Sequence, residues 1–288
     1  MIIIGSDCSG ICSLEIALKK LKIDYKSLFG SEPDKHCLKF LKENDLIPEI
    51  MFNDIKNKNY YPKLDLYICG IPCQPFSSSG KRLKNLDPRA DIIDYAIQTI
   101  IKCEPKVFIL ENVPNFMNEL LIEKLKILNY SISYQILNTK DYGIPQNRKR
   151  LYIIGTKEVV NFNFKKIECE SIENFVDFSN TIHEEFAPNL LKKYENYKDS
   201  IFCNLDQIRP GNYKASRDYC STITRSNPIY NVLLHRKATN LEYLKLQGLP
   251  TNLKCLPVNQ MRKLVGNSMS INILEMIIRD LETHFIIN

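Results

Sequence analysis

No uninterrupted apolar run in this 288-residue sequence is long enough to cross a bilayer, a span that needs about 20 apolar residues, so a membrane-spanning helix is not expected. A signal peptide is not expected either, because Met1-Ile2-Ile3-Ile4 leads directly into a glycine-containing segment. There is no internal repeat and no low-complexity tract. The dinucleotide pattern G-x-G-x-x-G is missing, which argues against a nicotinamide cofactor and a small-molecule oxidoreductase. The paired short spacings of structural zinc sites are missing too. Cys8-x-x-x-Cys12 and Cys69-x-x-x-Cys73 are ligand-like, but no histidine accompanies either pair and Cys69 ends an apolar run, so no metal is expected.

Strong charge of one sign is also lacking. The net charge of +6 is compatible with a polyanionic partner, yet far from the basic signature that would argue for nucleic acid by itself. The ten cysteines are scattered and read as free thiols of a reducing compartment. With 44% hydrophobic and 25% charged residues, the composition is that of an ordinary soluble protein. The length accommodates one large domain plus a small one, or two modest domains.

The first half alternates strand-like and helix-like segments. Strands are expected at residues 2–4, 25–30, 50–52, 64–69, 107–110, 132–137 and 151–154. Helices are expected at 13–21, 33–44, 91–102 and 119–128, with apolar residues at helical spacing in 13–21 and 91–102 and lysine on the outer face of 33–44. This alternation predicts an α/β fold with a doubly wound, mostly parallel sheet. From about Glu158 to His235 no period dominates, and Arg209-Pro210-Gly211-Asn212 is turn chemistry. A second, smaller, irregular domain is expected over 158–235, with the first spanning 1–157 and completed by 236–288, whose helices (240–246, 259–264, 270–282) return to it.

The most informative stretch is Gly70-Ile71-Pro72-Cys73-Gln74-Pro75-Phe76-Ser77, directly after the apolar run Leu64 to Cys69. A glycine and two prolines force a rigid loop where a strand ends, which is where open α/β sheets hold ligands. Cys73 in that loop has the setting of a nucleophile, although a lone loop cysteine would more often be a packed thiol. Glu111-Asn112-Val113 after Val107-Phe108-Ile109-Leu110, Gln146-Asn147-Arg148-Lys149-Arg150 before Leu151 to Gly155, and Gly266-Asn267-Ser268 accompany it. In this order and spacing the motifs resemble the DNA cytosine carbon-5 methyltransferase family, over nearly the whole chain except about Glu158 to Arg217.

The resemblance implies an S-adenosylmethionine-dependent methyltransferase fold with a target-recognition domain, and S-adenosyl-L-methionine as cofactor. The turn carrying Ser6, Asp7, Cys8, Gly10 and Ile11 would hold the methionine portion. A small-residue turn suits close ligand approach and bare N–H groups at a helix start. Here Cys12 and Ser13 replace the last two family glycines, and Cys8 stands where an aromatic is common. Glu32, with Pro33 beside it, would accept the ribose hydroxyls, though a carboxylate at a helix N-terminus needs no ligand. Asp54, with Ile55, would accept from the adenine amino group, or simply close an Asn-Asp turn. Gly70, Pro72, Asn267 and Ser268 complete the implied cofactor set.

For the reaction, the resemblance makes Cys73 the nucleophile that adds to cytosine carbon 6, turning the ring into an enamine. The positive charges of Arg148 and Arg150 would favour its thiolate. Glu111 would supply the acid near ring nitrogen 3, though a strand-end carboxylate can merely cap a turn. Alternation along one strand would aim Arg148 and Arg150 at a single pocket, where guanidinium donors suit the cytosine carbonyl and a phosphate. A solvated basic strand is their ordinary role, and the expected role of Lys149. The base would be flipped out of the duplex, with Gln74, Ser77, Thr222, Thr224 and Arg225 touching nucleic acid and Arg209, Lys214, Arg217 and Arg236 as further basic candidates.

The implied partners are double-stranded DNA and a cognate restriction endonuclease, with no membrane and a monomeric enzyme. The setting would be cytoplasmic in a bacterium, phage or virus, or nuclear in a eukaryote. Two alternatives stand beside this reading. One is a tRNA cytosine-5 methyltransferase of the same family, whose Cys-Phe-Thr signature is missing here although Phe202-Cys203 is similar to part of it. The other is a non-catalytic nucleic-acid-binding homologue, which tends to lose the nucleophile or acid that Cys73 and Glu111 retain.

Overall fold

In the computed structural model the described residues are 1–72, 91–116, 119–182, 199–204 and 216–283. They cluster into two units. The first comprises Met1–Leu137, Lys149–Lys165 and the residues from Ile273; the second comprises Asn138–Arg148 and Lys166–Asn272. The segment 236–272, expected with the sheet domain, therefore groups with the second unit, and the return to the first begins at Ile273.

The first unit is built on seven strands: β1 (Ile2–Asp7), β2 (Tyr25–Ser31), β3 (Ile50–Phe52), β4 (Leu66–Gly70), β5 (Val107–Asn112), β6 (Ser131–Asn138) and, after the two-residue β7 (Gln146–Asn147) of the second unit, β8 (Lys149–Thr156). Their order is β3-β2-β1-β4-β5-β8-β6. Strands β1 to β5 pair in parallel, while β8 runs antiparallel to β5. The helices are α1 (Ser13–Leu21), α2 (Lys35–Glu43), α3 (Ile92–Cys103) and α4 (Glu119–Lys126), so the alternation expected from the sequence is the alternation found.

Every residue of β5 and all but the last of β4 are buried, which requires cover on both faces of the sheet. One face is explicit. Tyr67 and Cys69, Phe108 and Leu110, Leu151 and Ile153 alternate along their strands and form one cluster with Ala96, Ile100 and Cys103 of α3 and Leu121, Ile122 and Leu125 of α4. Helix α2 starts where Asp34 caps it, its carboxylate accepting the His36 N–H at 2.9 Å; Pro33, expected inside the helix, lies just ahead of it. Further along, the final helix α7 (Ile271–Thr283) brings Glu275 to Lys20 of α1.

Polar and small residues misled the reading of β1. Gly5, Ser6 and Asp7 were expected in the turn after Ile4, but they continue the strand. Asp7 is buried, and its carboxylate accepts from Lys58 Nζ, Tyr67 Oη (2.8 Å), Thr99 Oγ1 (3.1 Å) and Ser31 Oγ (2.8 Å). A strand end can carry a buried carboxylate only when such partners replace water.

The second unit contains β7, β9 (Phe202–Cys203), β10 (Cys220–Ser221), β11 (Tyr230–Asn231) and β12 (Arg236–Lys237), then α5 (Asn240–Gln247) and α6 (Val258–Asn267). Strands β7 and β10 pair in parallel, and β12-β11-β9 form an antiparallel sheet. Helix α5 opens with a capping box between Thr239 and Glu242. Glu242 is also the partner of Arg236, whose Nη1 and Nη2 donate to its two oxygens at 2.8 and 2.9 Å while Nε and Nη2 also reach the Asn180 and Asp177 carbonyls. Arg236 was an expected DNA contact. It is instead buried in this bidentate pair, where charge-assisted hydrogen bonds to Glu242 and to main-chain carbonyls replace its water.

Candidate active site

The parallel strands of the first unit end side by side. Asp7 is in register with Ser31 and with Cys69, and Gly70 with Glu111. The strand order reverses between β1 and β4, which is the crevice where open α/β sheets bind ligands. The residues from Cys8 to Ile11, Glu32, and Ile71 with Pro72 therefore emerge at one edge of the sheet.

The turn after β1 is tightly specified. Ser9 N–H donates to the Ser31 carbonyl at 2.9 Å, Cys12 N–H to the Ser9 carbonyl at 2.8 Å, and the Ser6 and Ser9 hydroxyls meet at 2.7 Å. Cys8, Gly10 and Cys12 all adopt positive φ (50°, 54° and 56°). A Cβ built on Gly10 would meet nothing within 4 Å, so the turn opens onto space on that side. Cys12 adopts the left-handed conformation, in which an ordinary side chain costs about 1–2 kcal/mol.

Glu32 closes the turn from β2. Its two carboxylate oxygens accept the Gly10 N–H at 2.8 Å and the Asp34 N–H at 2.9 Å. A carboxylate has about four acceptor sites, so an orienting role and acceptance from hydroxyls are chemically compatible. Asp54 accepts the Lys56 N–H at 2.9 Å and caps a short 3-10 turn that buries Ile55, the structural alternative raised for it. Ser6, Asp7 and Ile11 are buried, Cys8, Gly10, Gly70 and Pro72 half-buried, and Pro33 exposed.

At the end of β5, Glu111 is buried and ion-paired with Arg150 of β8, Oε1 to Nε at 3.2 Å. The register partner of Glu111 is Gly70, three residues before Cys73. Arg148 and Arg150 do not share a strand face. Arg148 lies between β7 and β8, belongs to the second unit, and is buried, with its guanidinium on main-chain carbonyls; only Arg150 faces Glu111. Lys149 between them is exposed.

Asn267 (exposed) and Ser268 (buried) also sit in the second unit, as do Thr222, Thr224 and Arg225, of which Arg225 is exposed; Thr222 Oγ1 donates to the Asn147 carbonyl at 2.6 Å. Cys73, Gln74, Ser77, Arg209 and Lys214 lie outside the described residues.

Several described cysteines hold their protons firmly. A hydrogen bond with Cys69 pushes the Cys8 thiol well above its ordinary pKa, and burial raises Cys12, Cys169, Cys220 and Cys255, with Cys103 pushed to about 11 and Cys203 to about 12. Thiols held protonated are poor nucleophiles. Two sets of residues at these sites were not anticipated. Lys58, the partner of Asp7, sits in a polar Asn-Lys-Asn-Tyr-Tyr stretch with no local signal of burial, and Gln146 stands in a motif in which the arginines are the charged groups.

The described residues thus form a doubly wound sheet with a buried carboxylate–guanidinium pair at the carboxyl end of β5. The family described as C-5 cytosine-specific DNA methylase matches residues 6–232. The chain is 31% identical over 277 residues to the type II methyltransferase M.HaeII of Haemophilus aegyptius, covering 88% of this chain and 84% of that protein. It is 30% identical over 293 residues to the type II methyltransferase M.NgoBI of Neisseria gonorrhoeae, covering 93% and 89%. In fold it is similar to the methyltransferase EhMeth of Entamoeba histolytica, with a TM-score of 0.76, 18% identity and 99% of each chain covered. The chain belongs to the C-5 cytosine-specific DNA methylase family.

Proposed function

We propose that the protein methylates carbon 5 of cytosine in duplex DNA, through a covalent bond between Cys73 and the flipped-out base. The carrying observation is the Glu111–Arg150 pair at the carboxyl end of β5, in register with the strand that leads to Cys73. The thiolate of Cys73 adds to carbon 6, and Glu111 supplies a proton toward ring nitrogen 3 as charge builds on the ring. Arg150 orients Glu111 and offers guanidinium donors to the base carbonyl. When the carbon-5 proton leaves to water, the sulfur–carbon 6 bond breaks, Glu111 takes back the ring-nitrogen proton, and the thiolate is restored. The raised thiols elsewhere support Cys73 as the nucleophile, since those groups hold their protons.

S-adenosyl-L-methionine supplies the methyl group. The first unit fits it: Glu32 places a carboxylate, the acceptor type that suits ribose hydroxyls, against the Gly10 turn, and that turn opens onto space. Ser6, Cys8 and Ile11 would line the methionine end, Asp54, Ile55 and Pro33 the adenosine end, and Gly70, Pro72, Asn267 and Ser268 the remainder. Asp7 acts beneath the turn, held by Lys58. We assign 158–235 to target recognition, with Gln74, Ser77, Thr222, Thr224 and Arg225 on the DNA. The named relatives are type II methyltransferases, which supports a cognate restriction endonuclease and a cytoplasmic setting.

The test is bisulfite sequencing of DNA from cells expressing the wild-type protein or Cys73→Ser, with labelled-methyl incorporation into duplex DNA and tRNA alongside. Site-specific protection of cytosine that vanishes in Cys73→Ser is expected. Label entering tRNA alone, or methylation persisting in Cys73→Ser, refutes the reading.

A further inference from the structure

Gln146 and Arg148 alternate with the exposed Asn147 and Lys149, and both are buried, Arg148 to 2% exposure. Arg148 Nη1 donates to the Ile223 carbonyl at 2.9 Å, and Nη2 to the Ser268 carbonyl at 2.7 Å and the Gly266 carbonyl at 3.3 Å. Gln146 Oε1 accepts the Ile223 N–H at 3.2 Å, while its Nε2 donates to the Leu246 carbonyl at 2.7 Å and to Gln247 Oε1 at 2.9 Å. Gln247 Nε2 in turn donates to the Ser268 carbonyl at 3.0 Å. Both main-chain polar groups of Ile223 are thus held by one tripeptide, and the same arginine holds the Gly266-Asn267-Ser268 segment.

The two segments also touch. A Cβ on Gly266 would lie 2.4 Å from the carbonyl carbon of Thr224 and 2.5 Å from the nitrogen of Arg225, so only glycine allows their backbones this close. Arg262 Nη1 donates to the Arg225 carbonyl at 2.9 Å from the helix that also carries Gly266. A desolvated guanidinium needs its acceptors, and a planar fork satisfies these carbonyls in one arrangement only. If either segment shifted alone, a buried cation would lose partners. They are expected to move together.

We propose that Arg148 is a positioning residue that couples the two ligands: it locks the DNA-contacting segment Ser221–Thr224 to the cofactor-contacting segment Gly266–Ser268, so that occupancy of one strengthens binding at the other. The proposal rests on the ligand assignments made above for those segments. It moves Arg148 away from the cytosine, leaving Arg150 alone to face the base.

The test is a linkage titration. Binding of a duplex carrying the methylated site mapped by sequencing is measured with and without saturating S-adenosylhomocysteine, in wild type and in Arg148→Lys. Wild type is expected to bind DNA about fivefold or more tighter with S-adenosylhomocysteine, the reciprocal effect being equal. Arg148→Lys, which keeps the charge but not the fork, is expected to bring that ratio within about twofold of one. Loss of folded protein alone would weaken both affinities and leave their ratio unchanged. Hydrogen exchange on the unaltered protein gives a readout independent of any variant. S-adenosylhomocysteine alone is expected to slow exchange at the Ile223 amide, which Gln146 accepts. An unchanged ratio in folded Arg148→Lys, or no slowing at Ile223 in liganded wild type, overturns the coupling while the functional reading stands. Failure of wild type to bind either ligand removes both.

Discussion

Replacing Lys58 with methionine would leave the carboxylate of Asp7 buried without its cation. Lys58 Nζ contacts Asp7 and donates to Thr99 Oγ1 at 2.6 Å, and it stands 4.4 Å above the Phe29 ring, with both partners of the ion pair fully buried. Methionine fills the space of the lysine stem, so little of the loss is packing. Removing one member of a buried pair costs about 3–5 kcal/mol; the ring contact is part of the same desolvated environment and is not added. In a unit of this size that corresponds to a fall of roughly 6–20 °C in Tm. Asp7→Asn combined with Lys58→Met keeps an acceptor for Tyr67 and Ser31 but removes the stranded charge, so at least half the loss is expected to return. The assay is calorimetry, which separates the transitions of two units that need not melt together, with far-UV circular dichroism alongside. If Lys58→Met melts with wild type, or the double variant is less stable than the single, the buried pair does not hold the strand end.

Two further predictions concern other buried charges. Burial raises the pKa of Glu15, against hydrogen bonds from its own backbone, Ser27 and Cys12, from the ordinary 4.5. The folded state therefore holds this proton more tightly than the unfolded chain, and stability falls as pH rises above about 4.5 toward the folded value. Glu15→Gln is expected to raise Tm at pH 7 and to match wild type at pH 4 and below; a benefit that persists at low pH refutes the assignment. In the second unit, Arg236→Met strands Glu242 and is expected to cost about 3–5 kcal/mol, read as loss of the cooperative melt of that unit with little change in DNA affinity per folded molecule. A selective loss of DNA binding would restore Arg236 to the contact surface.

Local periodicity carried most of the fold. Leu14, Ala17, Leu18 and Leu21 recur at helical spacing and form α1, while Val107 to Leu110 form an apolar run long enough only for a strand, and become β5. Patterning failed where polarity and burial coincide. Gly5-Ser6-Asp7 looked like a turn because nothing local reveals that Lys58, far along the chain, neutralises Asp7 within the sheet. Gln-Asn-Arg-Lys-Arg looked like one basic strand, yet the strand is interrupted at Arg148, whose guanidinium is bonded to main-chain carbonyls. A basic residue in sequence carries no mark of whether its acceptors are water or main chain.

The sequence by itself determined the alternation of strands and helices and the family, because hydrophobic period and turn residues act over neighbours along the chain. Tertiary structure alone decided which arginine faces Glu111, which is sealed among carbonyls, and which carboxylate is turned inward to Lys58 rather than toward a ligand. Those outcomes depend on the acceptors and charges that distant segments bring to each group, and on the cost of burying any group that lacks them.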